Sequence, residues 1–218
     1  MAKEKNVTVQ SPTAAQHKEF WGQIDKGLIT KKNFQEFLER KKGSQSHYNI
    51  YKKMYKNWDI ALDVEPFENR EGYWPVVVFK GLRNLQTFWR VNQVTNFLDI
   101  ENSMLSRDDR YPSESYVVWV KSDVKIDPNF CNKSTSFLRK EGVLGVTLLE
   151  QIILEGFYFL LSEGNYLAVT QPTLCIGSHH PSDGRIPYVI KMGNELGVYY
   201  YKKSDIPRGP GVRPIFSF

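Results

Sequence analysis

One stretch of this chain leaves few choices: from Thr147 to Ser162 it is almost wholly apolar at helical spacing. Thr147-Leu148-Leu149-Glu150 reads as a capping box, in which a hydroxyl and a carboxylate each satisfy a backbone N–H left open at a helix start. Leu149, Ile152, Ile153, Gly156, Phe157 and Leu160 follow at i, i+3, i+4, i+7, i+8 and i+11, and Gly164 supplies the stop. Only a narrow stripe of Glu150, Gln151, Glu155, Tyr158 and Ser162 stays polar. A helix this apolar has to be covered on most sides, which points to a sheet laid against it.

The sheet is legible in β-branched and aromatic runs. Ile60, Leu62 and Val64 alternate with Ala61 and Asp63, while Val76–Phe79 and Tyr116–Val120 are continuous apolar runs. A helix fits 82–94, and 106–115 and 127–135 read as loops. After the central helix, 173–177, 186–192 and 196–201 form an antiparallel meander with turns at Ser182-Asp183-Gly184 and Gly193-Asn194. The proline-rich tail 207–214 runs extended, and Ile215-Phe216 docks as a short terminal strand. With 218 residues, 41% hydrophobic and 14% aromatic, disorder is excluded. The predicted class is α+β: an amino-terminal helical hairpin or three-helix region, then a mainly antiparallel sheet packed on one buried helix. The predicted division is a basic helical region, 1–58, and an α+β domain, 59–218.

Within the first region, Ser11-Pro12 starts a helix carrying Phe20, Trp21, Ile24 and Leu28, with a stop at Gly27. Thr30 caps a second helix bearing Phe34, Phe37 and Leu38, ended by Gly43. The motif Gly27-Leu28-Ile29-Thr30 followed by Phe34 resembles a SHOCT-type two-helix module over residues 20–40. That resemblance implies an interaction or oligomerisation hairpin. Lys31 and Lys32 stand where the module has acidic residues, and a helix-turn-helix DNA reader has the same outline.

Charge is concentrated in this part of the chain. Residues 1–56 hold 12 Lys/Arg against 5 Asp/Glu, a net +7, while the remainder holds 17 against 19. Such asymmetry points to a polyanion or an acidic partner. From 48 to 58, Tyr48, Tyr51, Tyr55 and Trp58 align on one helical face beside Lys52, Lys53 and Lys56. The pattern fits either of two arrangements: aromatics stacking on bases between cations, or a buried core stripe with lysines snorkelling at its edges. The candidate nucleic-acid contacts are Arg40, Lys41, Lys42, Tyr48, Tyr51, Lys52, Lys53, Tyr55 and Lys56.

Other chemistry has thinner support. Cys175, His179, His180 and Asp183 are a tight set of metal-ligand types, but their spacing matches no zinc finger. A Cys–His nucleophile would need Cys175 or Cys131 beside an imidazole. Asp123-Val124-Lys125 after a strand, with Asp63, Glu65, Asp108 or Asp109 upstream, has the outline of a Mg²⁺-dependent nuclease. Phosphate-loop, dinucleotide and nucleophile-elbow motifs are absent from the sequence. No metal or cofactor is expected.

From Tyr116 onward the chain resembles a group of uncharacterised proteins of candidate-phylum bacteria. The matching segments are Tyr116-Val117-Val118-Trp119-Val120, Gly145-Val146-Thr147-Leu148-Leu149-Glu150, Thr173-Leu174-Cys175-Ile176-Gly177-Ser178, Asp183-Gly184-Arg185-Ile186-Pro187 and Gly197-Val198-Tyr199-Tyr200-Tyr201. The resemblance covers about half the chain, implies a bacterial cytoplasmic protein and carries over no activity. Two cysteines, no visible secretory signal and no apolar run long enough to span a bilayer point to the same compartment, with no membrane partner. The leading functional expectation is a non-enzymatic binding module that contacts nucleic acid or an acidic protein through its basic, aromatic-rich helical region. The alternatives are a metal-dependent nuclease or other hydrolase, and a protein–protein or homo-oligomerisation module built on the hairpin.

Overall fold

In the computed structural model, the apolar helix is shared by two sheets. The structure describes residues 46–83, 87, 97–98, 106–110, 112–169, 171–192, 195–202 and 209–217. The chain divides into two compact units, Met1–Ser44 and Gln45–Phe218, and every described residue belongs to the second. In chain order its elements are α1 (His47–Asn57), β1 (Tyr73–Val78), β2 (Phe97–Leu98), β3 (Arg107–Asp108), β4 (Tyr116–Lys121), α2 (Thr135–Lys140), α3 (Leu148–Leu161), β5 (Thr173–Leu174), β6 (Ser178–His179), β7 (Ile186–Met192), β8 (Glu195–Tyr201), β9 (Gly211–Val212) and β10 (Ile215–Phe216). The class is α+β.

The strands among the described residues form three sheets. β4 lies between β1 and β10, antiparallel to both. A five-stranded sheet has the order β2-β8-β7-β5-β9, with its β2–β8 and β5–β9 edge pairings parallel. β3 and β6 make a separate antiparallel pair. β7 and β8 form the expected hairpin, with Tyr188 opposite Tyr199 and Val189 opposite Val198. Strand alternation buries the five-stranded sheet on both faces: Val189, Leu196 and Val198 join the main core, while Leu174 and Ile186 join a smaller cluster with Leu138, Ile176 and Val212.

α3 packs on α1 and β1, and also meets β7 and the 3₁₀ turn Leu167–Val169. Its capping box is complete: Glu150 N–H donates to Thr147 Oγ1 at 3.1 Å, and Thr147 N–H donates to Glu150 Oε2 at 2.7 Å. Tyr158 and Ser162 of the polar stripe are half-buried, but its first three residues do not reach water. Glu150, Gln151 and Glu155 have no solvent exposure, because each carboxylate is surrounded by donors. Glu150 accepts from Arg110 Nε at 2.8 Å, Arg110 Nη2 at 2.6 Å and the Tyr116 hydroxyl at 3.0 Å. Glu155 accepts from the backbone N–H groups of Leu167 and Ala168 and from Gln151 Nε2. Among the described residues, no helix is long and apolar enough to cross a membrane.

α1 docks through its aromatic stripe, so the unit boundary falls before this helix and not after Trp58. Tyr51 stacks on Phe157 with ring centroids 4.9 Å apart. Its hydroxyl donates to Pro75 O at 2.8 Å, and the Tyr55 hydroxyl donates to Val77 O at 2.6 Å. β1 is the edge of its sheet, so alternate carbonyls point away from β4. Four helical residues rise about 6.0 Å and two strand residues about 6.6 Å, which matches the two hydroxyls to the two carbonyls. Pro75, with no N–H to offer, sits on that edge.

Several local expectations change. The alternating stretch at 60–64 is not a strand: Ile60, Leu62, Val64 and Phe67 press on the core from an irregular segment. Alternation reports burial on one side, and that needs no hydrogen-bonded neighbour. The loop expected at 127–135 contains a 3₁₀ turn, Pro128–Phe130, and leads into α2, whose cap is the Ser134 hydroxyl accepting from Phe137 N–H. The amino-terminal hairpin lies outside the described residues, and the helix expected over 82–94 lies largely outside them.

Two measurements check this packing. Tyr51→Phe and Tyr55→Phe each remove the hydroxyl donor of a strand carbonyl and are expected to cost about 1–3 kcal/mol in urea unfolding, with the denaturant slope unchanged. Burial raises the Glu155 carboxyl from 4.5 to about 7 against the pull of the Leu167 N–H. The native state therefore keeps a proton that the unfolded chain releases. The associated stability is fully present below pH 4.5 and lost as the pH rises through about 7; Glu155→Gln is expected to abolish this pH dependence, roughly 3 kcal/mol in all.

Candidate nucleic-acid interface

The nine residues singled out from the sequence separate into three groups. Arg40, Lys41 and Lys42 lie outside the described residues. Tyr51 and Tyr55 are fully buried and cannot stack on a base, which corrects the reading of the stripe as a binding surface. Trp58 is buried with them. Lys52, Lys53 and Lys56 are exposed, and Tyr48 is half-buried. None of these three lysines forms an ion pair among the described residues.

The way α1 ends creates a groove beside these residues. Asp59 takes a left-handed conformation with φ +56°. Asp59 N–H donates to Lys56 O at 3.1 Å and Ile60 N–H to Tyr55 O at 3.0 Å. This pair of bonds is a Schellman closure, normally built on glycine. It turns the chain back along the helix, and by Asn69 the segment has reached the other end, where Asn69 Oδ1 accepts from His47 N–H at 2.8 Å. Phe67 meets the Tyr48 ring edge-on, 5.5 Å between centroids. Between helix and returning segment lies an open groove of about 510 Å³ lined by Tyr48, Lys52, Lys56, Asp59, Ile60, Ala61 and Leu62. The sequence presents Ile60, Ala61 and Leu62 as strand rather than as a groove wall, because Asp59 does not announce the turn as glycine would.

The other candidate ligands and nucleophiles are dispersed. Cys175 is fully buried near Thr173 O, and burial raises its thiol pKa well above the ordinary value, opposite to what a nucleophile needs. His179 Nδ1 lies 3.3 Å from Asp109, and His180 Nδ1 meets the Ser182 hydroxyl at 2.9 Å and Asp183 at 3.3 Å. Cys131 Sγ sits 3.1 Å from Gln171 Nε2. Asp123, Lys125 and Glu65 are exposed, while three of the four upstream acids are engaged elsewhere: Asp63 with Lys80, Asp108 with the Ser178 hydroxyl and Asp109 with Arg139. Among the described residues no three His, Cys, Asp or Glu side chains converge to hold a metal.

A second aromatic cluster went unread. Tyr199 and Tyr201 share a strand face with Tyr188, with ring centroids 5.7 and 4.8 Å from its ring. Tyr188 and Tyr201 pack against the smaller core cluster, and the visible signal was the run Tyr199-Tyr200-Tyr201.

Comparison with protein-family models, curated proteins and solved structures finds no match to this chain. What the groove can hold therefore follows from its own residues. Its geometry depends on the turn at Asp59. Asp59→Gly relieves a left-handed side-chain residue and is expected to raise stability by about 0.5–1 kcal/mol in urea unfolding; a loss of stability would contradict the assigned turn.

Proposed function

We propose that this chain is a binding module that holds the phosphate backbone of a nucleic acid on the outward edge of α1. The observation that carries the reading is the set of three exposed lysines, Lys52, Lys53 and Lys56, without an ion-pair partner among the described residues, on a helix whose opposite face is locked into the core. A docked helix presents these ammonium groups with no backbone ordering to be done on binding, and each phosphate neutralised releases condensed counterions. The sequence places Arg40, Lys41 and Lys42 just before this helix, within the +7 segment, and the proposal includes them. Asp59 is the one acid in the groove lining and opposes anion binding at that end.

The reading is electrostatic, since two of the proposed stacking tyrosines belong to the core. Anisotropy titration of labelled single-stranded RNA with the full chain is expected to give an affinity that falls steeply with salt. Lys52→Gln, Lys53→Gln and Lys56→Gln together are expected to weaken binding and to flatten the log–log salt slope by about 2, at roughly 0.7 per phosphate contact. Salt-independent binding, or an unchanged slope in the triple variant, would overturn the assignment. Tighter capture of a polyglutamate peptide than of RNA would transfer it to an acidic protein partner.

A further inference from the structure

We infer that the groove between α1 and residues 59–62 takes one unpaired nucleotide, its base against Tyr48 and the apolar floor and its flanking phosphates on Lys52 and Lys56, so that the module prefers single-stranded to duplex nucleic acid. This deepens the polyanion reading and rests on it.

The composition of the groove is the reason. A site for phosphate alone has no use for apolar walls, yet Ile60, Ala61 and Leu62 line this one together with Lys52 and Lys56. Tyr48 supplies an aromatic ring already braced edge-on by Phe67. Its volume of about 510 Å³ falls in the roughly 300–1,000 Å³ range of ligand clefts. Positions 48, 52 and 56 lie one turn apart along a single helix edge, at about 6 Å per step. The order along that edge is therefore ring, cation, cation. A nucleotide in a strand projects a flat base with an apolar face to one side of its two flanking phosphates, so the ring can meet the base while the two cations meet the backbone. In a duplex the base faces are hidden in the stack, and the groove would meet backbone only. Asp59, at the far end, disfavours a further phosphate there and confines the contact to the lysine edge.

The test uses the full chain and four probes: a single-stranded RNA, its duplex, an abasic strand with the same number of phosphates, and a polyglutamate peptide. The base-bearing single strand is expected to bind roughly 5- to 100-fold tighter than the abasic strand, the range that one stacked base contributes, and tighter than the duplex. Tyr48→Ala is expected to lose that advantage and to keep the affinity for the abasic strand. Tyr48→Phe retains the ring and is expected to retain the advantage, which separates stacking from any disturbance of the fold. Equal, salt-sensitive affinity for base-bearing, abasic and duplex probes would overturn the single-nucleotide groove and leave the electrostatic reading standing. Binding to none of the nucleic-acid probes, or stronger binding to polyglutamate, would overturn both.

Discussion

Two phenol hydroxyls resting on two carbonyls of an edge strand determine which way the first described helix faces. A β-sheet edge presents unpaired backbone groups, and leaving them buried without partners is costly. Tyr51 and Tyr55 meet that need at Pro75 and Val77, and the same two rings fill the space against Phe157, Trp58 and Phe79. With that face committed, Lys52, Lys53 and Lys56 fall on the exposed side of the helix. The position of the cationic surface is thus a by-product of closing a sheet edge.

The second organising feature is a pair of carboxyl groups buried on the apolar helix. Glu150 and Glu155 are one helical turn and one residue apart, and each binds a different loop: the segment carrying Arg110 before β4, and the turn Leu167–Val169 after α3. Buried carboxyl groups contribute little net stability when their partners are in place and are strongly unfavourable when a partner is missing. Their effect here is positional. They hold loops from distant parts of the chain at fixed points along α3, where apolar packing alone would tolerate slippage. Gly145 and Gly177 serve the same junction, since a Cβ on Gly177 would lie 2.8 Å from Gly145 O.

For the interface, this architecture separates two roles that the sequence merges. Tyr48, Tyr51, Tyr55 and Trp58 form one continuous periodic stripe, but three of them belong to the core and one lines a groove. The stripe diverges where the returning segment 59–69 passes along α1, because that segment covers the edge near Tyr48 only in part. A left-handed residue at Asp59 makes that return possible. The groove is therefore defined as much by the turn after the helix as by the helix.

Local signals in the amino-acid sequence determined the elements whose stability is local. The capping box and apolar spacing set α3 almost to the residue, the β-branched runs set β1, β4, β7 and β8, and Ile215-Phe216 became the terminal strand foreseen for it. Periodicity also placed Tyr51, Tyr55 and Trp58 on one face. It could not say what that face would meet, because a core stripe and a stacking surface share the same spacing. Nor could it show that Glu150 and Glu155 are buried, since their donors come from Arg110, Tyr116 and the turn at 167–168. Those outcomes depend on which distant backbone groups arrive unpaired and which side chains satisfy them, and only the assembled tertiary structure decides that.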